Sequence, residues 1–150
     1  MKIPEPLFAV INPVVRFLLQ SPIHAFWSDS LMLITVTGRK SNRRYTIPVR
    51  YVRDGEVVRC FTTSTTLWWR NLRGEAEVHL RIKGEEKRYN AIAIHDDPHR
   101  IREGLLRYLE LYPQDAAYHG IRLNEDKSLV AEDLDRACSS AIVIEARPIP

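Results

Sequence analysis

Cysteine is scarce in this chain, and the two present, Cys60 and Cys138, lie far apart with neither C-x-x-C nor metal-ligand spacing. That excludes a disulfide framework and a cysteine-based zinc site, and it fits a reducing cytoplasm. Glycine is sparse as well, and the six present are not arranged as a dinucleotide G-x-G-x-x-G, a P-loop or a nucleophile elbow. Long apolar runs are missing: "EPLFAVINPVVRFLLQSPIHAFW" is broken by Pro13, Arg16, Gln20 and Pro22, so no segment is expected to span a bilayer. The N-terminus lacks the charge, apolar stretch and small-residue cleavage site of a signal peptide. Internal repeats and low-complexity linkers are absent, and 150 residues suffice for one domain over residues 1–150 with a real hydrophobic core.

Acidic residues are missing from residues 37–53, "TGRKSNRRYTIPVRYVR", which carry six cations, Arg39, Lys40, Arg43, Arg44, Arg50 and Arg53, before Asp54. The whole chain has 22 Lys plus Arg against 19 Asp plus Glu, so without these six the balance turns negative. A positive field this concentrated points to an anionic partner, a phosphate-bearing cofactor, a nucleic acid or an anionic membrane, with nucleic acid the weaker since no nucleic-acid motif accompanies it.

Periodicity places these residues. Leu7, Val10, Val14, Phe17 and Leu18 recur at helical spacing, and Ser21-Pro22 reads as a cap and first turn, so two short N-terminal helices are expected. The first has an apolar stripe suited to packing along the domain or to peripheral contact with a membrane. "LMLITVT", "YTIPVRYVR" and "EVVRCFTT" read as three antiparallel strands, with Asp54-Gly55 as a two-residue turn. "LWWRNLRG" reads as a helix ended by Gly74, and "EVHLRIKG" and "KRYNAIAIH" follow as strands across a turn containing Gly84. Asp97-Pro98 opens a helix through about Tyr112, "VAEDLDRA" a second, and "SAIVIEAR" is a last strand. This makes an α+β fold around a small barrel, whose closure removes exposed edges.

Two constellations can carry chemistry. After Gly38, the run Arg39-Lys40-Ser41-Asn42 offers turn amides, a hydroxyl and cations, the components of a phosphate cradle; the alternative is a solvated loop guarding a sheet edge. In "TTSTTLWWRNL", five hydroxyl residues precede Trp68 and Trp69, a combination suited to a planar heteroaromatic ring. Adjacent helical residues point about 100° apart, so one tryptophan is expected in the core and the other facing a pocket. Asn71 is expected to fix local backbone. "HDDPH" reads as a strand end and helix cap, so no metal is expected, and Cys60 reads as a buried, inert thiol. No nucleophile or acid–base dyad stands out, so no catalytic residue is singled out.

Together, "TVTGRKSNRRYTIPVRYVRDG" and "WWRNLRGEAEVHLRIKG" resemble the deazaflavin-dependent nitroreductase and quinone reductase family of the FMN-binding split β-barrel superfamily, over roughly two-thirds of the chain. The resemblance implies a six-stranded antiparallel split β-barrel with flanking helices, and F420, a deazaflavin with a phosphate and polyglutamate tail, as cofactor. It implies that Arg39, Lys40 and Ser41 hold the tail with Arg43 close by, and that Pro48 and Val49 lie beside the ring. Thr63, Ser64 and Thr65, with Trp68 or Trp69, would complete the ring's slot. Family members usually have glycine where this chain has Asn42, and arginine where it has Tyr45. The activity so implied is hydride transfer from reduced F420 to a quinone, nitroaromatic or activated enone. FMN in the same groove, or a non-catalytic carrier on the same barrel, is the alternative. The partner is a small molecule, and the oligomeric state is left open.

Overall fold

The computed structural model describes residues 31–150; the two expected N-terminal helices, and the packing or membrane contact expected of the first, lie outside the described residues. The strands are β1 (Leu31–Thr37), β2 (Arg44–Asp54), β3 (Val57–Thr63), β4 (Ala76–Ile82), β5 (Glu85–Ile94) and β6 (Ala141–Pro148). They close into a barrel in the order β1-β2-β3-β6-β5-β4, with every neighbouring pair antiparallel. Between β5 and β6 the chain forms helices α1 (Pro98–Leu111) and α2 (Ala131–Ser140) and a short 3-10 helix, Pro113–His119. The architecture is the six-stranded split barrel with flanking helices that the resemblance implied, and it agrees with the small α+β barrel read from the alternation.

Period-two patterning divides the apolar residues between two cores. Met32, Ile34 and Val36 of β1, Ile47 and Tyr51 of β2, and Val78, Leu80 and Ile82 of β4 point into the barrel. The outward residues Val52, Phe61 and Val143 pack instead against Ile101, Leu105, Tyr108 and Leu109 of α1 and Leu134 and Ala137 of α2. Helix α1 starts as its sequence requires: Asp97 Oδ1 accepts from the Arg100 amide at 3.2 Å, and Pro98 occupies the first turn.

The β2–β3 turn is displaced by one residue from expectation. Asp54 pairs with Val57, so Gly55 and Glu56 form the loop, and Gly55 supplies the φ of +62° that the first central position of a type II′ turn demands. The other tight hairpin, Lys83-Gly84, has both residues at positive φ, 52° and 80°.

Antiparallel order brings several connections to one barrel end: residues 38–43, the segment between β3 and β4, residues 95–97, and the start of β6. At that end the wall is open. Pairing of β2 with β3 stops at Tyr51 opposite Cys60, whereas β2 continues back to Arg44 along β1, and β3 runs on to Thr63 along β6. Pro48, which has no N–H to give a ladder, pairs with Leu33 of β1 but sits in the stretch of β2 that has no partner on its β3 side, where a strand tolerates proline.

Candidate functional site

The turn between β1 and β2 is closed by its own backbone. Gly38 N donates to Arg43 O at 2.7 Å, and Asn42 N to Gly38 O at 2.9 Å. Ser41 Oγ accepts from the Arg43 amide at 3.2 Å and lies 3.3 Å from the Tyr45 hydroxyl. The serine is tucked so far under the turn that a Cβ at Gly38 would lie 2.6 Å from its Oγ, which explains the glycine. Asn42 has φ +57°, a left-handed conformation that asparagine tolerates better than most residues other than glycine. It therefore allows the turn a backbone course otherwise open mainly to glycine. Tyr45 points inward against the barrel core while its neighbour Arg44 is exposed, with Nη2 3.4 Å from His79 Nδ1.

The segment Trp68–Leu72 is a 3-10 helix that plugs this end of the barrel. Both tryptophans are buried, Trp68 at 2% and Trp69 at 5% exposure, which corrects the expectation of one core and one pocket-facing ring. The reason lies in position: the segment lies across the barrel end, where Trp68, Trp69 and Leu72 all pack with the barrel core, and Arg70 is left outside. Trp69 still differs from Trp68. Its ring centroid is 5.6 Å from that of His95, the Arg73 guanidinium lies 5.2 Å over its face, and its Nε1–H is buried without a hydrogen-bond partner among the described residues. A buried unmade donor costs about 1–3 kcal/mol.

Asn71 fixes backbone, as expected: its Nδ2 donates to Trp68 O at 3.1 Å, and its Oδ1 accepts from the Arg39 amide at 3.1 Å. It thereby ties the tryptophan helix to the basic turn. Gly74 does not end the helix by a left-handed turn; Arg73 keeps helical angles, and the Arg39 guanidinium rests against Gly74, with Nη2 3.0 Å from where a Cβ would stand.

The hydroxyl run forms the next turn. Thr62 Oγ1 and Thr66 Oγ1 are 2.7 Å apart, as are those of Thr63 and Thr65, and Thr66 Oγ1 donates to Thr63 O at 3.0 Å. Ser64 N bonds Ser140 O at 2.7 Å, and the side chains of Ser64 and Thr65 are exposed. Extending the register past Tyr51–Cys60 sets Thr63 across the opening from Pro48. Pro48 faces outward and Val49 packs inward with the barrel core, so their side chains serve opposite faces of β2.

At the foot of the opening lies a cluster that sequence reasoning did not assemble. Arg50 Nε meets Asp115 Oδ2 at 2.8 Å, its guanidinium lies 5.0 Å over the Tyr112 ring, and the Tyr112 hydroxyl donates to Tyr51 O at 3.2 Å. Tyr108 donates to the same Asp115; burial and then that carboxylate raise its pKa well above the usual phenol range. Burial lowers the His119 pKa, Asp115 opposing. The result is a guanidinium of fixed direction beside the opening. Its one sequence signal is position: Arg50 falls on the outward side of β2, in step with Thr46 and Pro48.

Of the six cations in the acid-free stretch, Arg50 and Arg53 are engaged by Asp115 and by the Tyr89 hydroxyl (3.4 Å), and Arg44 by His79. Arg39, Lys40 and Arg43 are exposed and meet no carboxylate among the described residues; neither do Arg70 and Arg73 on the tryptophan helix. Cys60 is inert as expected, burial pushing its thiol up to about 12. Among the described residues no three His, Cys, Asp or Glu side chains converge on a point that could hold a metal. A cavity of about 730 Å³ lies elsewhere, between α1 and the outer faces of β3 and β6.

The barrel is shared with solved proteins of low sequence identity. An F420 reductase matches with a TM-score of 0.52 at 15% identity, over 90% of this chain and 93% of its own. A putative pyridoxamine 5'-phosphate oxidase from Listeria innocua gives 0.52 at 14% identity, over 93% of both chains. Atu2129 from Agrobacterium tumefaciens, of unknown function, gives 0.57 at 15% identity, over 87% of this chain and 56% of its own. No curated protein sequence matches significantly. The family described as F420H(2)-dependent quinone reductase matches residues 21–118, a span that includes the basic turn, the opening, the tryptophan helix and the Arg50 cluster. The chain belongs to the F420H(2)-dependent quinone reductase family.

Proposed function

We propose that this protein is an oxidoreductase that uses reduced F420 to reduce a small planar electrophile, a quinone first and a nitroaromatic or activated enone by the same chemistry. The observation that carries the reading is the meeting, at one barrel end, of cations lacking carboxylates with an opening in the wall between β2 and β3. An anionic tail suits the first and a flat ring the second. The deazaflavin, when bound, supplies the hydride. Arg39, Lys40 and Arg43 hold the tail, and Ser41 shapes the turn that presents them. Pro48, Val49 and the Thr63, Ser64 and Thr65 turn flank the ring. Trp68 and Trp69 form the floor of the slot, and the unmade Trp69 Nε1–H is suited to an acceptor there.

The test is an absorbance assay of reduced F420 oxidation with menadione as acceptor, with NADPH in place of F420 as a control. Enzyme-dependent oxidation of F420 and none of NADPH is expected. Parallel fluorescence titration with FMN separates the cofactors: tight FMN binding with no F420 binding would overturn the assignment. Measurable F420 binding with no turnover across quinones, nitroaromatics and enones would reduce the protein to a carrier.

A further inference from the structure

We propose that the barrel end opposite the open one carries a second ligand site, a small pocket for one tetrahedral oxyanion, either inorganic phosphate or the phosphate of a monoester. The site does not depend on the F420 reading. Strand β2 leaves the basic turn and ends at this far mouth, in the Gly55-Glu56 loop, and β4 and β5 meet there in the Lys83-Gly84 hairpin. A pocket of about 120 Å³ lies between them. Buried Leu80, Ile82 and Tyr89 line its inner part, and exposed Arg53, Lys83, Glu85 and Lys87 surround them. It is small beside the roughly 300–1,000 Å³ of pockets for drug-sized molecules, so a single anionic group fits and a nucleotide does not.

Strand parity aims charge at this mouth. Tyr51 points into the barrel and Val52 out toward α1, so Arg53 turns inward again. On β5, Lys87 and Glu85 lie opposite the inward Leu80 and Ile82, in step with inward Tyr89. Three cations therefore share the lining with one acid, Glu85, which stands 3.6 Å from Lys87. Positive charge is left over. Arg53 Nη2 lies 3.4 Å from the Tyr89 hydroxyl, beyond the usual range of about 2.7–3.2 Å for such a bond, and that acceptor is neutral. Tyr89 is only 2% exposed, and its own hydroxyl proton has no acceptor among the described residues. An oxyanion resolves both shortfalls together: one oxygen accepts from Tyr89 Oη–H, others accept from Arg53, and Lys83 and Lys87 supply mobile charge.

The bound anion would also join parts of the barrel that no ladder joins. Strand β2 pairs with β1 and β3, and β5 pairs with β4 and β6, so Arg53 and Tyr89 face each other across the mouth without shared backbone bonds. Occupancy should therefore steady the β4–β5 hairpin.

The experiment follows the amide NMR signals of the full chain while sodium phosphate replaces sodium chloride at constant ionic strength. The signals of Arg53, Lys83 and Gly84 should shift and saturate together, and hydrogen exchange at Gly84 and Glu85 should slow. In R53Q the phosphate affinity should fall by at least about tenfold, the scale of one charge-assisted hydrogen bond, and in Y89F by about twofold to tenfold, that of a neutral one. Should R53Q lose the wild-type spectrum, K83Q, at an exposed turn position, carries the same test. R39A/K40A, altered at the opposite end, should keep these shifts and their midpoint, which separates the pocket from phosphate held by the basic turn. Phenyl phosphate distinguishes the sources: shifts equal to those of phosphate assign the pocket to a monoester, and shifts with inorganic phosphate alone assign it to the free anion, either result supporting the site. Shifts that grow without saturating, or an affinity unchanged in both R53Q and Y89F, overturn it and leave Arg53 as a solvated cap on the barrel mouth. Loss of the shifts in R39A/K40A overturns it as well, by moving phosphate binding to the other end.

Discussion

Arginine is used in two opposite ways in this molecule. On the outer barrel face, Glu145 is only 5% exposed and gathers three arginines: Arg100 Nη2 at 2.7 Å, Arg59 Nε at 2.9 Å and Arg147 Nη1 at 3.7 Å. Burial alone would raise the Glu145 pKa, but Arg59 and Arg100 hold it below the usual range. At the open barrel end, Arg39, Arg43, Arg70 and Arg73, with Lys40, meet no carboxylate among the described residues. Around Glu145 the guanidiniums arrive with their acid, whereas the five cations at the open end have none among the described residues. The net charge of +3 is small, yet the surplus is local, and a local field is what a ligand experiences.

The largest effect that sharpens this contrast is on stability. Glu145→Ala leaves Arg59 and Arg100 facing an emptied, half-buried site; removing one partner of a fully buried pair costs about 3–5 kcal/mol. Because Arg100 and Arg147 reach solvent, a loss near the lower end, about 3 kcal/mol, is expected, and at about 2–4 °C per kcal/mol for a chain of this size a melting-temperature drop of about 10 °C. F420 affinity of the folded fraction should not change. Weakened cofactor binding with unchanged stability would reverse the roles assigned to the two regions.

The complementary variant acts at the other end. Arg39→Ala with Lys40→Ala removes two exposed cations without carboxylates, so urea unfolding should move by no more than about 0.5 kcal/mol. Losing one charge-assisted contact costs about 1.5–3 kcal/mol, so F420 should bind at least tenfold more weakly at low salt. Wild-type affinity should also fall as salt rises, and the variant's fall should be shallower. A double variant that binds F420 as tightly as wild type would remove the basic turn from the site.

The sequence made the barrel legible because alternation is local. Met32, Ile34 and Val36, and likewise Val78, Leu80 and Ile82, declare their inward face without reference to any other strand. The basic turn was equally legible, being six adjacent residues. What escaped depended on contacts across the chain. Arg50 and Asp115 are 65 positions apart and meet only because the 3-10 helix after α1 folds back over β2. The wall opening arises where two ladders part, which no single strand records. The tryptophans were misjudged because the segment plugs a barrel end and packs both rings into the barrel core, a tertiary contact that helical periodicity does not record. Asn42, by contrast, carried its geometry in its type: where the chain needs positive φ, asparagine is the usual substitute for glycine.

A second matched cluster allows the contrast to be tested with pH, where the smallest effect is expected. Asp133, 1% exposed, accepts from the Arg122 backbone amide at 2.9 Å and from Arg122 Nε at 2.8 Å and Nη2 at 3.2 Å, with Arg136 at 3.3 Å. The Arg122 side chain, then its amide, hold the carboxyl down to about 2 from 3.8. A carboxyl more acidic in the folded state binds fewer protons there than in the unfolded chain. Its contribution to stability is therefore complete above about pH 4 and is lost as pH falls from there toward 2. Asp133→Asn should accordingly flatten the fall of the urea midpoint between pH 5, 4 and 3 relative to wild type, and leave F420 affinity at pH 7 unchanged, since the site lies on other elements. An Asn variant whose midpoint falls with pH as steeply as wild type would show that other carboxylates, with Glu145 first among them, carry the acid sensitivity.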